Sequence, residues 1–114
     1  MIRIGKFLKF EATFVVARHS WEQKSAVVFL HPEFAKKAGI KSGDIVLISK
    51  GEKGLKFRVK LLETAPEDGG VIPNSIFASY MTDFQEFKRF RAYVEIAEGE
   101  ESKAEDVIKM MQKK

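Results

Sequence analysis

The alternation of apolar and polar residues predicts three strands with one buried face. Residues 6–17, 55–63 and 91–97 place apolar side chains at every second position, with mostly polar residues between them. This period of two is typical of a strand that packs against a core on one side. The side chains predicted to point inward are Phe10, Ala12, Phe14, Val16, Leu55, Phe57, Val59, Leu61, Ala92, Val94 and Ile96.

Three shorter apolar runs predict further strands. Residues 25–30 and 45–49 are nearly continuous apolar segments, and 71–73 is a short run that ends at a proline. The glycine-bounded segment 50–54 predicts a hairpin, and 64–70 predicts a surface loop. Six short strands favour a small closed barrel, because so few residues cannot cover both faces of an open sheet.

Residues 31–44 predict a short helix followed by a turn. Pro32 has the fixed φ of a first helical turn, Glu33 favours the positive end of the helix dipole, and Gly39 stands where a left-handed cap would end the helix. In the pair Gly43 and Asp44, the glycine supplies an unusual φ and the carboxylate accepts backbone N–H groups. We therefore interpret Asp44 as structural, with a catalytic role as the alternative. The predicted buried face of the helix contains Phe34, Ala35 and Ala38.

Residues 102–112 predict an amphipathic helix near the C terminus. Ser102 and Glu105, three positions apart, have the spacing of a capping box. The predicted fold class is therefore mainly β with short helices, including this C-terminal one. The apolar residues that share one face of the helix are Ala104, Val107, Ile108 and Met111.

The composition indicates one globular domain that spans residues 1–114. Hydrophobic residues make up 45% of the chain and charged residues 32%, and no apolar run is long enough to cross a bilayer. The first ten residues interleave basic and apolar side chains instead of forming a leader sequence. We therefore expect a mature cytoplasmic protein without a membrane partner.

The chain lacks the residues that most catalytic and metal sites require. It has no cysteine, and its two histidines, His19 and His31, stand in no zinc-binding spacing, so we assign no catalytic residue and no metal ligand. The net charge of +4 is concentrated in the first half, where eleven Lys and Arg face five acidic residues. A basic half is compatible with a polyanionic ligand. No arginine cluster is interleaved with aromatic residues, and we expect no nucleic-acid partner.

The middle of the chain resembles a known family. The run FLHPEFAKKAGIKSGDIVLIS, residues 29–49, resembles the signature of double-psi β-barrels, and specifically of the molybdopterin-dinucleotide-binding domain family. Residues 51–59 resemble the hairpin and return strand of that family, and GGVIP, residues 69–73, resembles its proline-ended strand. The segment VIPNSIFASYMTDFQEFKRFRAYVEIAEGEES, residues 71–102, is similar to the small D subunit of archaeal formylmethanofuran dehydrogenase.

This resemblance implies both a fold and a function. The fold would be a six-stranded double-psi β-barrel, and the chain would be a non-catalytic subunit that helps to bind molybdopterin guanine dinucleotide. The cofactor would be shared with a larger catalytic subunit of a molybdenum or tungsten oxidoreductase, which would carry out the redox chemistry. The alternative is a protein-interaction barrel module without a cofactor.

Three candidate cofactor-binding residues, Arg18, His19 and Ser20, directly follow the first predicted strand. In the family this loop faces the pterin dinucleotide. A guanidinium matches phosphate oxygens and a hydroxyl adds a short donor. The alternative is an ordinary solvated surface triplet. The neighbouring Trp21 would either stack on a flat ring or close the end of the barrel.

Four candidates lie after the predicted strand 71–73. In the family, the segment that corresponds to Asn74 and Ser75 approaches the dinucleotide, and we expect these two residues at the rim opposite the loop after the first strand, with helix capping as the alternative. Asp83 would accept hydrogen bonds from a guanine or cap the next helical turn. Lys88 matches a lysine of the family that would neutralise phosphate. Core packing is the expected use of the nearby aromatic residues Phe84, Phe87 and Phe90.

Overall fold

A computed structural model of the chain shows a mainly β protein whose six strands form one closed barrel. The structure describes residues 9–17, 26–73, 76–81 and 89–112. The strands are β1 (Phe10–Ala17), β2 (Val27–Leu30), β3 (Ile45–Lys50), β4 (Lys53–Leu61), β5 (Gly69–Pro73) and β6 (Arg89–Ala97). The helices are α1 (Pro32–Ala38), α2 (Ile76–Met81) and α3 (Ala104–Gln112). The predicted six-stranded barrel is therefore confirmed.

The strand pairing has an internal symmetry that the sequence does not reveal. Around the barrel the order is β1, β5, β2, β4, β3, β6. The pairs β1 with β5 and β2 with β4 are parallel, and the other four pairs are antiparallel. If β1 is exchanged with β4, β2 with β5 and β3 with β6, the same strand pairs with the same directions result. Each half also has the same element order of strand, strand, helix and strand.

The two helices of these halves follow strands that end at opposite ends of the barrel. β1 and β5 are parallel to each other, and β5 is antiparallel to β2, so the carboxyl end of β2 lies opposite to those of β1 and β5. α1 follows β2, and α2 follows β5. We therefore call the two ends the α1 end and the α2 end.

The barrel interior is a closed apolar core, as the alternation predicts. Nearly all of the predicted inward side chains are buried or packed against the core. The Phe14 and Phe90 rings lie 5.6 Å apart, and the Phe57 and Phe77 rings meet edge to face at 6.3 Å, which is the range of favourable aromatic pairs. Leu61 is the exception to the prediction. It is 44% exposed because it is the last residue of β4, at the rim of the α1 end.

Two glycines that turn signals alone place in a surface loop belong to β5, as the resemblance of residues 69–73 to a proline-ended strand implies. Gly69 pairs with Thr13 of β1, and Gly70 pairs with Leu30 of β2. A Cβ at Gly69 would stand 1.9 Å from the Thr13 carbonyl oxygen, and one at Gly70 would stand 2.4 Å from the Phe29 carbonyl oxygen. The glycines are needed because the neighbouring backbones approach so closely.

The predicted capping box at Ser102 is wrong. α3 begins at Ala104, and the Ser102 hydroxyl accepts a hydrogen bond of 3.0 Å from the Lys56 backbone N–H. The Asp106 carboxylate instead accepts from the Lys103 N–H, one residue later than the sequence suggests. α3 packs against α2 and buries Val107 completely. None of the helices within the described ranges is long and apolar enough to cross a lipid bilayer.

Candidate functional site

The segment that carries the family resemblance forms a compact unit at the α1 end. α1 has proline in its first turn, and the Glu33 backbone N–H donates to Nδ1 of His31 over 3.0 Å, so His31 is its N-cap. Gly39 ends the helix in the left-handed region at φ 71°, and its N–H reaches the Ala35 and Lys36 carbonyl oxygens. The predicted helix start and glycine cap are confirmed.

The turn at Gly43 and Asp44 ties this unit to β4. Gly43 has a φ of 94°, and the Asp44 carboxylate accepts the Lys41 backbone N–H at 2.9 Å. Two backbone hydrogen bonds of 2.8 Å join Gly43 and Asp44 to Val59. The structural interpretation of Asp44 is confirmed, because its carboxylate holds the turn as an aspartate in a loop commonly does.

Arg58 links the same turn to the segment after β6. Its Nη1 donates to the Gly43 carbonyl oxygen at 3.0 Å, and its Nη2 forms an ion pair of 3.1 Å with Glu101. The hydrogen bond from Arg58 holds the pKa of Glu101 below its ordinary value. Lys56 Nζ also donates to the Glu98 carbonyl oxygen at 2.7 Å. These contacts hold the chain between β6 and α3 against the outside of β4.

A second polar cluster lies on the outer wall of β1, β5 and β6. Arg91 approaches Glu11 at 3.2 Å and Asp68 at 3.5 Å, and it donates to the Thr13 hydroxyl at 2.7 Å. The Thr13 hydroxyl in turn donates to Asp68. The hydrogen bond from Arg91 lowers the pKa of the exposed Glu11 carboxyl. This cluster explains why Thr13 is 2% exposed although it lies on the outward parity of β1.

The sequence does not reveal these two clusters, because each joins residues far apart in the chain. Glu101 is 43 positions from Arg58, and Arg91 is 78 positions from Thr13. Only the strand register brings them together. Both clusters pair opposite charges on the outer wall, an arrangement that orients segments of the chain and contains no activated nucleophile or base.

Every predicted cofactor-binding residue lies outside the described residues, and so does Trp21. The structure describes the strand ends beside them. The predicted residues are Arg18, His19, Ser20, Asn74, Ser75, Asp83 and Lys88.

The strand register shows where these segments join the barrel. Ala17 pairs with Pro73 at the carboxyl ends of two parallel strands, and Val15 pairs with Arg89 at the start of β6. The chain therefore leaves β1, leaves β5 and enters β6 at one end of the barrel, the α2 end. The expectation that the segments after positions 17 and 73 start from opposite rims is wrong, because β1 and β5 are parallel.

The described residues at the α2 end are basic and aromatic. The hairpin between β3 and β4 lies there, with Lys50 Nζ 5.9 Å from the centre of the Phe90 ring and Lys53 Nζ 5.5 Å from that of Tyr80. Arg89 at the start of β6 is exposed, and Glu52 lies at the tip of the hairpin. Phe90 is buried, so the predicted core role of this residue is confirmed. Phe84 and Phe87 lie outside the described residues.

The α1 end has a different character. A shallow groove of about 370 Å³ follows the outer side of α1 and reaches the end of β4. Its surface is largely apolar. The groove is lined by Pro32, Ala35, Lys36, Gly39, Ile40, Lys41, Ser42 and Leu61.

Neither end carries a metal site within the part of the chain that the structure describes, since no group of three or more histidine, aspartate or glutamate residues is placed to hold an ion there. No protein-family model matches this chain, and no curated protein sequence matches it.

Proposed function

We propose that this protein is a double-psi β-barrel that acts as a non-catalytic, cofactor-binding subunit. It helps to hold molybdopterin guanine dinucleotide for a larger catalytic subunit of a molybdenum or tungsten oxidoreductase. This role is the one implied by the resemblance of residues 71–102 to the D subunit of formylmethanofuran dehydrogenase. The same proposal includes the double-psi topology of the barrel and the amphipathic character of the C-terminal helix.

The barrel itself supports the fold assignment. Six strands close into one sheet, two of the six pairs are parallel, and the pairing is unchanged when the two halves are exchanged. The Gly-Asp turn lies where the resemblance expects it, between a short helix and an apolar strand. A barrel built from two interlocked halves combines these features.

The observation that carries the functional proposal is the convergence of chain segments at the α2 end. The strand register brings the points that flank residues 18–20, 74–75 and 88 to this end. The described cations Lys50, Lys53 and Arg89 are there as well, close to the hairpin between β3 and β4 and the start of β6. A pyrophosphate would be attracted to these cations, because opposite charges attract.

The residues of the chain fit the phosphate and base portions of the cofactor better than its metal. Arg18 and Lys88 would hold phosphate, Asn74 and Ser75 would donate to polar atoms of the dinucleotide, and Asp83 would pair with the guanine edge. The bound cofactor would supply the oxidation and reduction chemistry. The chain has no cysteine, so a thiolate ligand to the metal would come from the larger subunit.

The proposal is tested on the native assembly. A tagged chain is expressed in its native cells and purified without oxygen together with its partners. The preparation is then boiled with iodine, and the fluorescent oxidised pterin and the released guanine nucleotide are measured per chain. We expect both to be present, and we expect the double substitution Arg18→Ala with Ser20→Ala to lower both. The matched control is Lys37→Ala, which removes one exposed cation at the other end, outside the groove.

Two outcomes would contradict the proposal. One is a native preparation that contains partners but neither pterin nor guanine nucleotide. The other is an equal loss of cofactor in the control, which would show that general charge, and not the α2 end, attracts the cofactor. The first outcome would favour the alternative, a protein-interaction barrel module without a cofactor. The groove at the α1 end is the observation that favours this alternative.

A further inference from the structure

The groove at the α1 end, which we call the α1 groove, differs from a dinucleotide site in size and chemistry. Its volume of about 370 Å³ is near the lower limit of the roughly 300–1,000 Å³ typical of ligand clefts. Its lining contains no arginine, and its floor is apolar. The space suits one or two side chains of another protein better than a nucleotide with its phosphates.

The apolar part of the groove is built from residues that the fold holds in place. Ala35 and Ile40 form a buried floor, and the Ile40 N–H donates to the Ala35 carbonyl oxygen at 2.8 Å. Leu61 remains 44% exposed, although it continues the inward parity of β4. Gly39 leaves the wall open, because a Cβ there would meet no atom within 4 Å. An apolar side chain of a partner that entered this space would cover Leu61, and no side chain of the groove would have to move.

The charged part of the groove has a single sign. Pro32, Ala35, Lys36 and Gly39 share one side of α1, since residues three and four apart lie on the same face of a helix. Lys41 stands on the loop that follows, and the lining contains no acidic residue. Glu33 lies about 100° away from Pro32 around the helix, so it does not belong to the side of α1 that lines the groove. The side chains Lys36 and Lys41 are exposed, so a partner with carboxylates would meet two cations beside the apolar floor.

We propose that the α1 groove is a docking site for an acidic segment of a partner protein. The segment inserts one apolar side chain against Leu61 and Ile40 while its carboxylates face Lys36 and Lys41. Apolar burial supplies most of the affinity, and the two lysines fix the choice of partner. The site lies at the end opposite to the proposed cofactor end, so both ends can be occupied at once. The inference therefore holds with or without a bound cofactor.

The experiment uses the full chain and a defined probe. The probe is a short fluorescein-labelled peptide of glutamates around one central leucine, and binding is measured by fluorescence anisotropy at low ionic strength. We expect saturable binding that weakens tenfold or more when the leucine of the peptide is replaced by serine, the effect of losing one buried aliphatic side chain. Amide resonances of the isotope-labelled chain should shift at residues 33–42 and 61.

Matched variants of the protein separate a groove from general charge attraction. Lys36→Glu and Lys41→Glu should each weaken binding roughly two- to fivefold, as expected for exposed ion pairs. Leu61→Ser should weaken it further, and because Leu61 is already partly exposed the variant should keep the native amide spectrum. The control is Lys109→Glu, which reverses an exposed charge on α3 and should leave binding unchanged.

The proposal is overturned if the peptide that lacks leucine binds equally well, or if Lys109→Glu weakens binding as much as Lys36→Glu does. It is also overturned if the amide shifts cluster at residues 50–53, because the peptide would then bind the basic α2 end. The pterin measurement is separate from this test. Failure of the cofactor proposal would leave the peptide result standing, and the reverse is also true.

Discussion

The substitution Gly69→Ala tests the strand arrangement on which both proposals depend. Gly69 lies in β5 opposite Thr13 of β1, and a Cβ at this position would stand 1.9 Å from the Thr13 carbonyl oxygen and 2.7 Å from its backbone nitrogen. Protein Cβ atoms essentially never approach another heavy atom within 3.0 Å. The obstructing atoms are backbone, so no side-chain rotation can relieve the clash, and β1 and β5 must separate by about 1 Å.

The cost follows from the hydrogen bonds that this separation disturbs. The Gly69 N–H donates to the Pro66 carbonyl oxygen at 3.1 Å, and the Gly69 carbonyl oxygen accepts from the His31 N–H at 3.0 Å. The Thr13 N–H donates to the Asp68 carbonyl oxygen at 3.1 Å. Each such bond contributes roughly 0.5–1.5 kcal/mol net. We expect Gly69→Ala to lower the free energy of unfolding by about 2–4 kcal/mol, the upper range of overpacked sites.

Gly54→Ala is the matched control, because it adds the same methyl group to another strand. Its Cβ would lie 3.4 Å from the Leu47 side chain, 3.8 Å from the Ile48 carbonyl oxygen and 3.9 Å from Ser49 Cβ, which are ordinary contacts. Alanine also restricts the unfolded chain more than glycine, so we expect a change within about 1 kcal/mol, with a gain in stability as the expected direction. Urea unfolding followed by circular dichroism measures both variants. Equal stability of Gly69→Ala and the parent protein would refute the register between β1 and β5.

Three further predictions use the same unfolding assay. The lowered pKa of Glu101 means that its contribution to stability is present above the ordinary carboxyl pKa and is lost as the pH falls through the lowered value. Glu101→Gln should therefore make stability less sensitive to acid, and an unchanged acid profile would count against the ion pair with Arg58. Val107→Ala should lower the free energy of unfolding by roughly 1–3 kcal/mol because Val107 is fully buried. Ile108→Ala, at a position 43% exposed, should lower it much less. The reverse order would mean that α3 packs another face against the core. His31→Ala should cost about 0.5–2 kcal/mol through loss of the N-cap, and His31→Asn should restore most of it.

Local signals in the sequence predict the strands and α1 well. The period-two pattern predicts which residues of β4 and β6 are buried, and Pro32 and Gly39 mark the two ends of α1. The prediction failed where a non-local contact decides the structure. Turn signals predict a loop at Gly69 and Gly70, because local composition does not show that two other strands approach their backbone closely; only the family resemblance of residues 69–73 implies a strand there. The exchange symmetry of the halves is absent from residue periodicity for a similar reason, since it lies in strand pairing and not in repeated residues.

The candidate site was predicted less completely. Residue chemistry and family resemblance suggest which segments contact a ligand, but the sequence does not determine which ends of the strands are adjacent. The parallel pairing of Ala17 with Pro73 supplies that fact and corrects the expectation that β1 and β5 end at opposite rims. The α1 groove was missed because its lining comes from a helix, a loop and the last residue of β4. Leu61 fits the inward alternation of β4, so periodicity predicts that it is buried, whereas the structure leaves it exposed.

The symmetry of the barrel separates what the fold requires from what function has added. If pairing alone set the properties of the molecule, its two ends would be alike, because exchanging the halves leaves the pairing unchanged. They differ in their connections. Residues 41–44 cross from α1 to β3 in a tight turn that leaves an open apolar groove, whereas the other end is covered by α3, with Val107 buried against the core. Loops and added helices on a rigid scaffold are where binding residues concentrate, which is why the two proposals assign different ligands to the two ends.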